Sequence, residues 1–256
     1  MITNLQKKRL VFIDLDGTLI KTASGETFPK GVWDMVFRQE VLAQLSRLKP
    51  TGIFIVSNQG GIEKGFVNHR LFEQKFMYAI ASLQDICGQH VFVAGRYCPL
   101  NDPNDPMRKP NTGMVEAMLT EFEKMLNHKF SNPDCVVIGD MDSDRQMAAK
   151  LGMEYLDVEE FIAAEIPEPL YRVVDGMTGK DIEGQPLLGK QECKTLIDGL
   201  RESNPDRQYA MVTEKFIVPP MAQKSRQERR AEEHRAAKAK PMVVDMSKVM
   251  QNRKKK

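Results

Sequence analysis

Up to about residue 164 the chain repeats one pattern, a short and continuously apolar run followed by a longer segment with helical periodicity. The run at residues 53–56 is Ile-Phe-Ile-Val, and the lack of polar residues at alternate positions is typical of strands buried on both faces. Strands and helices that alternate in this way pack as a parallel sheet with helices on its faces. We therefore expect an α/β fold with a doubly wound, Rossmann-like parallel sheet, which holds its ligand at the carboxyl ends of the strands.

The predicted elements leave little room for an inserted domain. The expected strands are residues 10–14, 52–56, 90–93, 135–139 and 153–156, and the expected helices are residues 39–48, 71–85, 112–126 and 144–151. Because these elements occupy most of the chain between the first strand and residue 109, we expect no large cap over the ligand site.

The chain changes in character after residue 165. A strand at 171–175, turn residues at 176–180, a helix at 190–201 and a returning strand at 208–213 predict a small ββαβ module. We therefore assign residues 1–165 to the α/β domain, 166–216 to an accessory module and 217–256 to a tail.

The near-neutral charge of the whole chain hides a basic tail. The formal net charge is +2, from 37 Lys and Arg against 35 Asp and Glu, but residues 222–256 carry twelve basic and four acidic side chains. A segment of this composition is expected to be partly helical and partly disordered. It suits binding to a phosphate backbone, because that attraction needs no sequence-specific contact, and it equally suits a solvated segment without a partner.

Cysteine usage and the first apolar run indicate a reducing compartment. The four cysteines are scattered and form no CxxC pair, so neither a disulfide framework nor a zinc ribbon is predicted. The apolar run at residues 10–13 stops at Asp14 and is too short for a signal peptide or a membrane span. We expect a cytoplasmic protein with no membrane partner.

Asp14 and Asp16 lie one residue apart, directly after the first predicted strand. At the carboxyl end of a parallel sheet, a divalent cation can offset the cost of gathering such carboxylates. The same Asp-x-Asp-Gly stretch is also typical of a simple turn held by Asx hydrogen bonds. The motif by itself leaves both interpretations open.

Polar side chains follow the next two predicted strands as well. Ser57 and Asn58 precede two glycines at the end of the second strand, where hydroxyl and main-chain N–H groups suit a phosphate. Arg108 and Lys109 follow the third strand and place two cations just before a predicted helix. We expect Lys109 to neutralise negative charge at the site.

The fourth strand end supplies further carboxylates. Asp140 and Asp144 follow it, and carboxylate oxygens are the ligands that a hard cation such as Mg²⁺ prefers. The four strand ends thus offer carboxylate, hydroxyl, ammonium and carboxylate in turn. Because they share one edge of the sheet, we expect them to form one site.

The order and spacing of the DxDGT, SNQ, RKP and GDxxxD elements resembles the haloacid dehalogenase superfamily of aspartate-nucleophile phosphatases, over roughly residues 8–165. The resemblance implies that Asp14 attacks phosphorus to form an aspartyl-phosphate, and that Asp16 protonates the leaving oxygen and then deprotonates water. It implies that Ser57 holds a phosphoryl oxygen while Lys109 neutralises charge. It also implies a Mg²⁺ cofactor, with the following ligands: Asp14, the backbone carbonyl of Asp16, Asp140 and Asp144.

The match extends further for one branch, the 3′-phosphatase half of polynucleotide kinase 3′-phosphatases. Residues 14–29, DLDGTLIKTASGETFP, are similar to that family's DLDGTLI-x-T-x-S-G-x-x-F-P signature. Residues 108–114 resemble its RKPxTGM motif and residues 157–161 its TPEEF motif. The resemblance implies removal of 3′-phosphate from nucleic acid ends in DNA repair, and we expect Thr18, Asn58 and Arg108 to contact the substrate.

Two other functions stay open from the sequence. Capless phosphatases of histidinol phosphate or heptose bisphosphate share the SNQxGI and RKP elements but commonly carry a zinc-binding loop before the lysine. Here residues 97–107 contain Cys98 and no histidine, and one thiolate cannot build a tetrahedral zinc site. The third candidate is an inactive adaptor that binds nucleic acid or protein, although every reactive position of the family pattern is filled.

Overall fold

The structure is a computed structural model that describes residues 5–26, 31–88, 90–182, 187–213 and 215. The strands are β1 (Leu10–Ile13), β2 (Ile20–Thr22), β3 (Met35–Phe37), β4 (Gly52–Asn58), β5 (Phe92–Cys98), β6 (Cys135–Gly139), β7 (Glu154–Asp157), β8 (Tyr171–Asp175) and β9 (Tyr209–Thr213). The helices are α1 (Gln39–Leu48), α2 (His69–Cys87), α3 (Gly113–Leu126), α4 (Asp142–Leu151), α5 (Val158–Ala163) and α6 (Lys190–Ser203).

A five-stranded parallel sheet in the order β5-β4-β1-β6-β7 carries the other elements. Successive side chains of a strand point to opposite faces, and the central strand β1 shows the result. Leu10 and Phe12 pack in the layer that contains α3 and α4, whereas Val11 and Ile13 pack in the layer that contains α1, α2 and α5. Helices cover both faces, so the prediction of a doubly wound α/β sheet is confirmed.

Strand β5 is the sheet strand that the apolar pattern places wrongly. The pattern predicts residues 90–93, whereas β5 is Phe92–Cys98 and pairs with β4 from Gly52↔Phe92 to Asn58↔Cys98. Because β5 is an edge strand, several of its side chains are half-buried and its second half need not be apolar. The other predicted strands of the sheet and the predicted helices match observed elements within two residues, while β2, β3 and α5 have no predicted counterpart.

The described chain places no large cap over the carboxyl end of the sheet. Between β1 and α1 it forms the short antiparallel β2–β3 hairpin, with Ile20 opposite Phe37. Between β4 and β5 it forms α2, which packs against the sheet. The carboxyl end therefore opens outward, as the element lengths predict.

The region after residue 165 forms a smaller layer. Strands β8 and β9 pair in antiparallel fashion, and α6 packs on them through Cys193 and Ile197. The second strand of the predicted ββαβ module is reduced, among the described residues, to isolated bridges at Asp181 and Leu188. The hydroxyl of Thr51 donates to the carbonyl oxygen of Lys215 at 2.6 Å, which links the end of this layer to the region just before β4.

Two expectations concern the tail and membrane-spanning helices. The predicted tail at residues 217–256 lies outside the described residues. Within the described ranges, no helix has the length and apolar character that crossing a membrane requires.

We expect Phe54→Ala to destabilise the fold strongly. Phe54 is 1% exposed, and its ring centroid lies 5.2 Å from those of Phe12 and Phe122. Truncation would leave a cavity between the sheet and α3, with a cost of about 3–5 kcal/mol in the free energy of unfolding. Urea unfolding followed by circular dichroism measures this cost. Met125→Ala, at an exposed position of α3, is the control with an expected change below about 0.5 kcal/mol, and equal losses in the two variants would contradict this packing.

Candidate active site

The predicted site residues lie at the carboxyl ends of adjacent strands. Asp14 follows β1 directly, and its main-chain N–H donates to the carbonyl oxygen of Ile138 in β6 at 2.9 Å. Ser57 is buried near the end of β4, and Asp140 follows β6. Since β1 pairs with both β4 and β6, the sheet itself brings these residues to one edge.

Lys109 is the buried cation of this edge. Its Nζ lies 2.5 Å from Asp14 Oδ1 and 2.7 Å from Asp144 Oδ1, and it donates to the carbonyl oxygen of Val56 at 3.0 Å. Burial would lower the pKa of Lys109, but the two carboxylates outweigh burial and raise that pKa above its ordinary value. The ammonium group therefore stays charged and links the ends of β1 and β4 to α4.

The side chain of Asn58 positions the loop that carries Lys109. Its Nδ2 donates to the Lys109 carbonyl oxygen at 2.9 Å, and its Oδ1 accepts from the Lys109 main-chain N–H at 2.9 Å. The peptide bond from Lys109 to Pro110 is cis. Asn58 thus holds a neighbouring site residue, and its predicted contact with substrate stays a prediction.

Asp14 is a carboxyl group held in an unusual environment. Burial raises its pKa from 3.8 to about 7, although the Lys109 ammonium lowers it, and the nearby Asp144 carboxylate raises it further. A buried group of this kind favours the neutral form unless more positive charge is supplied. The site is therefore short of positive charge as it stands.

Three carboxylates form a donor set for a cation. Asp14, Asp140 and Asp144 each offer an oxygen atom, and these oxygens all lie within 4.8 Å of one another. Together with the one ammonium of Lys109 they leave a net charge of −2, which a divalent cation would balance. Carboxylate oxygens also match the preference of Mg²⁺, so the residues present fit the predicted cofactor.

The turn after Asp16 brings Asp140 close to the first strand. Gly17 has φ of 91°, and the Asp140 carboxylate lies so close that a Cβ at this position would collide with it. Thr18 is fully buried, and its Oγ1 donates to Asp140 Oδ1 at 3.1 Å. Burial raises the pKa of Asp140, and the Thr18 hydrogen bond partly offsets that rise. The Thr18 side chain thus orients a carboxylate, and its predicted substrate contact stays a prediction.

The side chain of Asp16 is not part of the cluster that Asp14, Asp140 and Asp144 form. Its Oδ1 accepts from Lys75 Nζ at 2.8 Å, and its Oδ2 accepts from Gln59 Nε2 at 2.6 Å. The same Nε2 donates to Ser57 Oγ at 2.9 Å. The predicted contact of the Asp16 backbone carbonyl with the metal stays a prediction.

Sequence reasoning missed Lys75 and passed over Gln59. Lys75 falls on the face of α2 that is otherwise formed by Phe72, Phe76 and Ala79. A charged residue within an apolar stripe was the available signal, but the stripe does not say which strand end the charge faces. That information comes only from the packing of α2 against the sheet.

Arg108 lies beside the glycines that follow β4. Its Nη1 donates to the carbonyl oxygen of Leu100 at 2.7 Å, and this atom is 3.0 Å from the place where a Cβ of Gly60 would stand. The guanidinium group is thus near the Ser57 end of the site, and its predicted contact with substrate stays a prediction.

One family model and several relatives match the chain. The model described as polynucleotide kinase 3 phosphatase matches residues 9–167. The histidine biosynthesis bifunctional protein HisB of Legionella pneumophila (strain Lens) is 31% identical over 160 residues, which are 60% of this chain and 42% of that protein. HisB of Campylobacter jejuni subsp. doylei is 29% identical over 207 residues, which are 75% of this chain and 55% of that protein.

The chain therefore spans about half the length, or less, of these curated relatives. Among solved structures, the D,D-heptose 1,7-bisphosphate phosphatase of B. bronchiseptica, complexed with magnesium and phosphate, is similar at 19% identity and a TM-score of 0.46. That match covers 69% of this chain and 93% of the other.

We expect Asp14→Asn to stabilise the metal-free protein at alkaline pH. The pKa of Asp14 is about 7 in the fold against 3.8 as its ordinary value, so its contribution to stability is present below pH 4 and is lost as the pH rises through 7. Asparagine carries no charge and escapes this loss. With EDTA, we expect the melting temperature of the variant to be a few degrees above that of the wild type at pH 8. We expect this difference to be smaller at pH 5.

Thermal unfolding followed by circular dichroism measures the melting temperatures at both pH values. Asp142→Asn, at an exposed carboxyl group of α4, is the control and should melt at the wild-type temperature at both. A variant Asp14→Asn that melts below the wild type at pH 8 would show that the buried charge is not costly.

Proposed function

Because the chain belongs to the polynucleotide kinase 3 phosphatase family, within the haloacid dehalogenase superfamily of phosphatases, we propose that it removes 3′-phosphate groups from nucleic acid ends in a Mg²⁺-dependent reaction. The observation that carries the proposal is the cluster at the open edge of the sheet. There Lys109 lies between Asp14 and Asp144, and no large cap covers them in the described chain.

Asp14 is the proposed nucleophile. Its carboxylate attacks phosphorus and becomes an aspartyl-phosphate, which divides a very slow hydrolysis into two easier steps. Lys109, 2.5 Å away, offsets the negative charge of the nucleophile and of the entering phosphoryl group. Ser57 has its Oγ near the end of β4, where the hydroxyl can donate to a phosphoryl oxygen.

Asp16 is the proposed acid and base. It gives a proton to the sugar oxygen that leaves, and it then takes a proton from the water that attacks the aspartyl-phosphate. Gln59 connects it to Ser57 through hydrogen bonds of 2.6 Å and 2.9 Å from one nitrogen. Because Gln59 holds Asp16 beside Ser57, these hydrogen bonds support a role for Asp16 close to the scissile bond.

Asp14, Asp140 and Asp144, with the backbone carbonyl of Asp16, would hold Mg²⁺. When bound, the cation supplies the positive charge that lets a carboxylate approach an anionic phosphate. The raised pKa values of Asp14 and Asp140 support this assignment, because burial makes these carboxyl groups costly to ionise and a cation would offset that cost.

The openness of the site supports a large substrate. An uncapped edge cannot enclose a small metabolite and exclude water from all sides. The end of a nucleic acid brings its own bulk, and its backbone would be attracted to the tail, where twelve basic residues stand against four acidic ones.

A small-molecule phosphatase is the second candidate, favoured by the 31% identity with HisB. The loop between β5 and α3 lacks the ligands that the zinc-containing form of such enzymes requires. Cys98 is buried, and its Sγ donates to Leu100 O and Asp105 Oδ1, both at 3.7 Å. Residues 99–113 hold no other cysteine and no histidine, so a four-ligand zinc site cannot form there.

Phosphate release from four substrates tests the proposal. They are a 3′-phosphorylated oligonucleotide, its 5′-phosphorylated twin, histidinol phosphate and an aryl phosphate, each with Mg²⁺ and with EDTA. We expect the highest kcat/KM for the 3′-phosphorylated oligonucleotide, a fall as salt is raised because backbone contacts are screened, and no turnover with EDTA or in Asp14→Asn.

Each outcome has a distinct meaning. Turnover of histidinol phosphate without preference for the oligonucleotide would move the substrate to small metabolites and keep the catalytic assignment. Retained turnover in Asp14→Asn would rule out this nucleophile.

We expect Arg108→Ala to weaken substrate binding. A lost hydrogen bond from a guanidinium to a phosphate corresponds to about a 10-fold fall in kcat/KM on the oligonucleotide. Arg201→Ala, at an exposed position of α6 far along the chain, is the matched control and should leave kcat/KM unchanged. Unaltered kinetics of Arg108→Ala on every accepted substrate would contradict the assigned contact.

A further inference from the structure

Lys75 is a charged residue on the buried side of a helix. It is 4% exposed and lies on the α2 face formed by Phe72, Phe76 and Ala79, with its Nζ 5.0 Å from the centroid of the Phe72 ring. Burial of an ammonium group is costly unless it is paired. A methionine or leucine would cover this face more cheaply, so stability of the fold does not explain a lysine here.

The partner of this buried lysine is the Asp16 carboxylate. Lys75 Nζ lies 2.8 Å from Asp16 Oδ1, and Gln59 Nε2 lies 2.6 Å from Asp16 Oδ2. Each carboxylate oxygen thus accepts from a different donor, one on α2 and one on the loop after β4. Two donors on separate elements fix the rotation of a carboxylate that a single donor would leave free.

Gln59 also ties this arrangement to the phosphate end of the site. It is 6% exposed, and its Nε2 is shared between Asp16 and Ser57 Oγ, the latter at 2.9 Å. Asp16 and Ser57 are therefore held relative to each other by a side chain that itself has little access to substrate.

We propose that Lys75 and Gln59 are positioning residues, which hold the Asp16 carboxylate in the orientation needed for the proton transfers of the phosphatase reaction. The inference rests on the proposed role of Asp16 and does not depend on which phosphate ester is hydrolysed. A proton donor must lie within hydrogen-bond reach of the reacting oxygen, and a displacement of about 1 Å can lower a rate by 100-fold.

A double-mutant cycle in the full chain tests the inference. The variants are Lys75→Met, Asp16→Asn and the two combined, with kcat and KM measured on an aryl phosphate with Mg²⁺. We expect Lys75→Met to lower kcat by about 10-fold or more with KM changed by less than about 2-fold, and Lys75→Arg to restore part of kcat. In the Asp16→Asn background the same Lys75→Met change should alter kcat by less than about 2-fold, because the carboxylate that Lys75 positions is no longer there.

Two further variants separate positioning from folding. Lys8→Met removes another buried lysine, which is 6% exposed and pairs with Glu154 at 2.9 Å near the opposite end of the sheet, and it should leave kcat unchanged. Gln59→Leu probes the second donor without removing a buried charge, and its effect on kcat should also vanish in the Asp16→Asn background. Thermal unfolding of each variant shows whether the fold is retained.

The outcomes separate this inference from the proposed function. Losses from Lys75→Met and Gln59→Leu that persist in full in the Asp16→Asn background would overturn the positioning role, while a large loss from Asp16→Asn alone would leave the proposed mechanism in place. Unchanged kcat in Asp16→Asn would overturn both the positioning role and the proposed role of Asp16. Turnover of the aryl phosphate without any turnover of 3′-phosphorylated ends would contradict only the proposed substrate, and the double-mutant cycle would still decide the role of Lys75.

Discussion

A buried ammonium between two buried carboxylates holds the candidate active site together. Lys109 comes from the loop after β5, Asp14 from the end of β1 and Asp144 from α4, so one ion cluster joins three separate parts of the chain. Ions buried in this way are costly to leave unpaired, which makes the position of each group depend on the other two. The cluster is still negative overall, because Asp140 adds a third carboxylate. Burial raises the pKa of Asp14 to about 7 although the Lys109 ammonium lowers it, and a divalent cation would offset the cost of ionising this carboxyl group.

The parallel sheet is what allows such a cluster to form. Antiparallel neighbours would send the ends of β1, β4 and β6 to opposite edges, whereas parallel pairing brings them to one edge. Around this edge a second set of buried contacts has formed, in which Asn58 fixes the Lys109 backbone, Thr18 orients Asp140, and Lys75 reaches Asp16 from α2. Residues that were expected to touch substrate thus also hold other site residues. The family favours phosphate ester hydrolysis.

Most elements of the sheet could be predicted because they are buried on both faces and therefore continuously apolar. Strand β6 and helix α1 match their predicted bounds. Strand β5 does not, since an edge strand with half-buried side chains has no such pattern. The short strands β2 and β3 lack the length over which a period can be recognised. The residues of the candidate site show the same division: Asp14, Asp140 and Lys109 were found from motifs after strands, whereas Lys75 was missed because it lies within a helix.

The fold class, the order of most strands and helices along the chain, and the kinds of chemical group at the strand ends could be predicted from the sequence. These follow from apolar periodicity and from local motifs, which are properties of short stretches of chain. Which of these groups touch is set by tertiary packing. Lys109 bridges Asp14 and Asp144. The Asp16 carboxylate accepts from Gln59 and Lys75, and a turn at Gly17 admits the Asp140 carboxylate. These contacts join residues that are 35 to 123 positions apart along the chain, and periodicity or motifs within a short stretch cannot indicate a contact over such a distance.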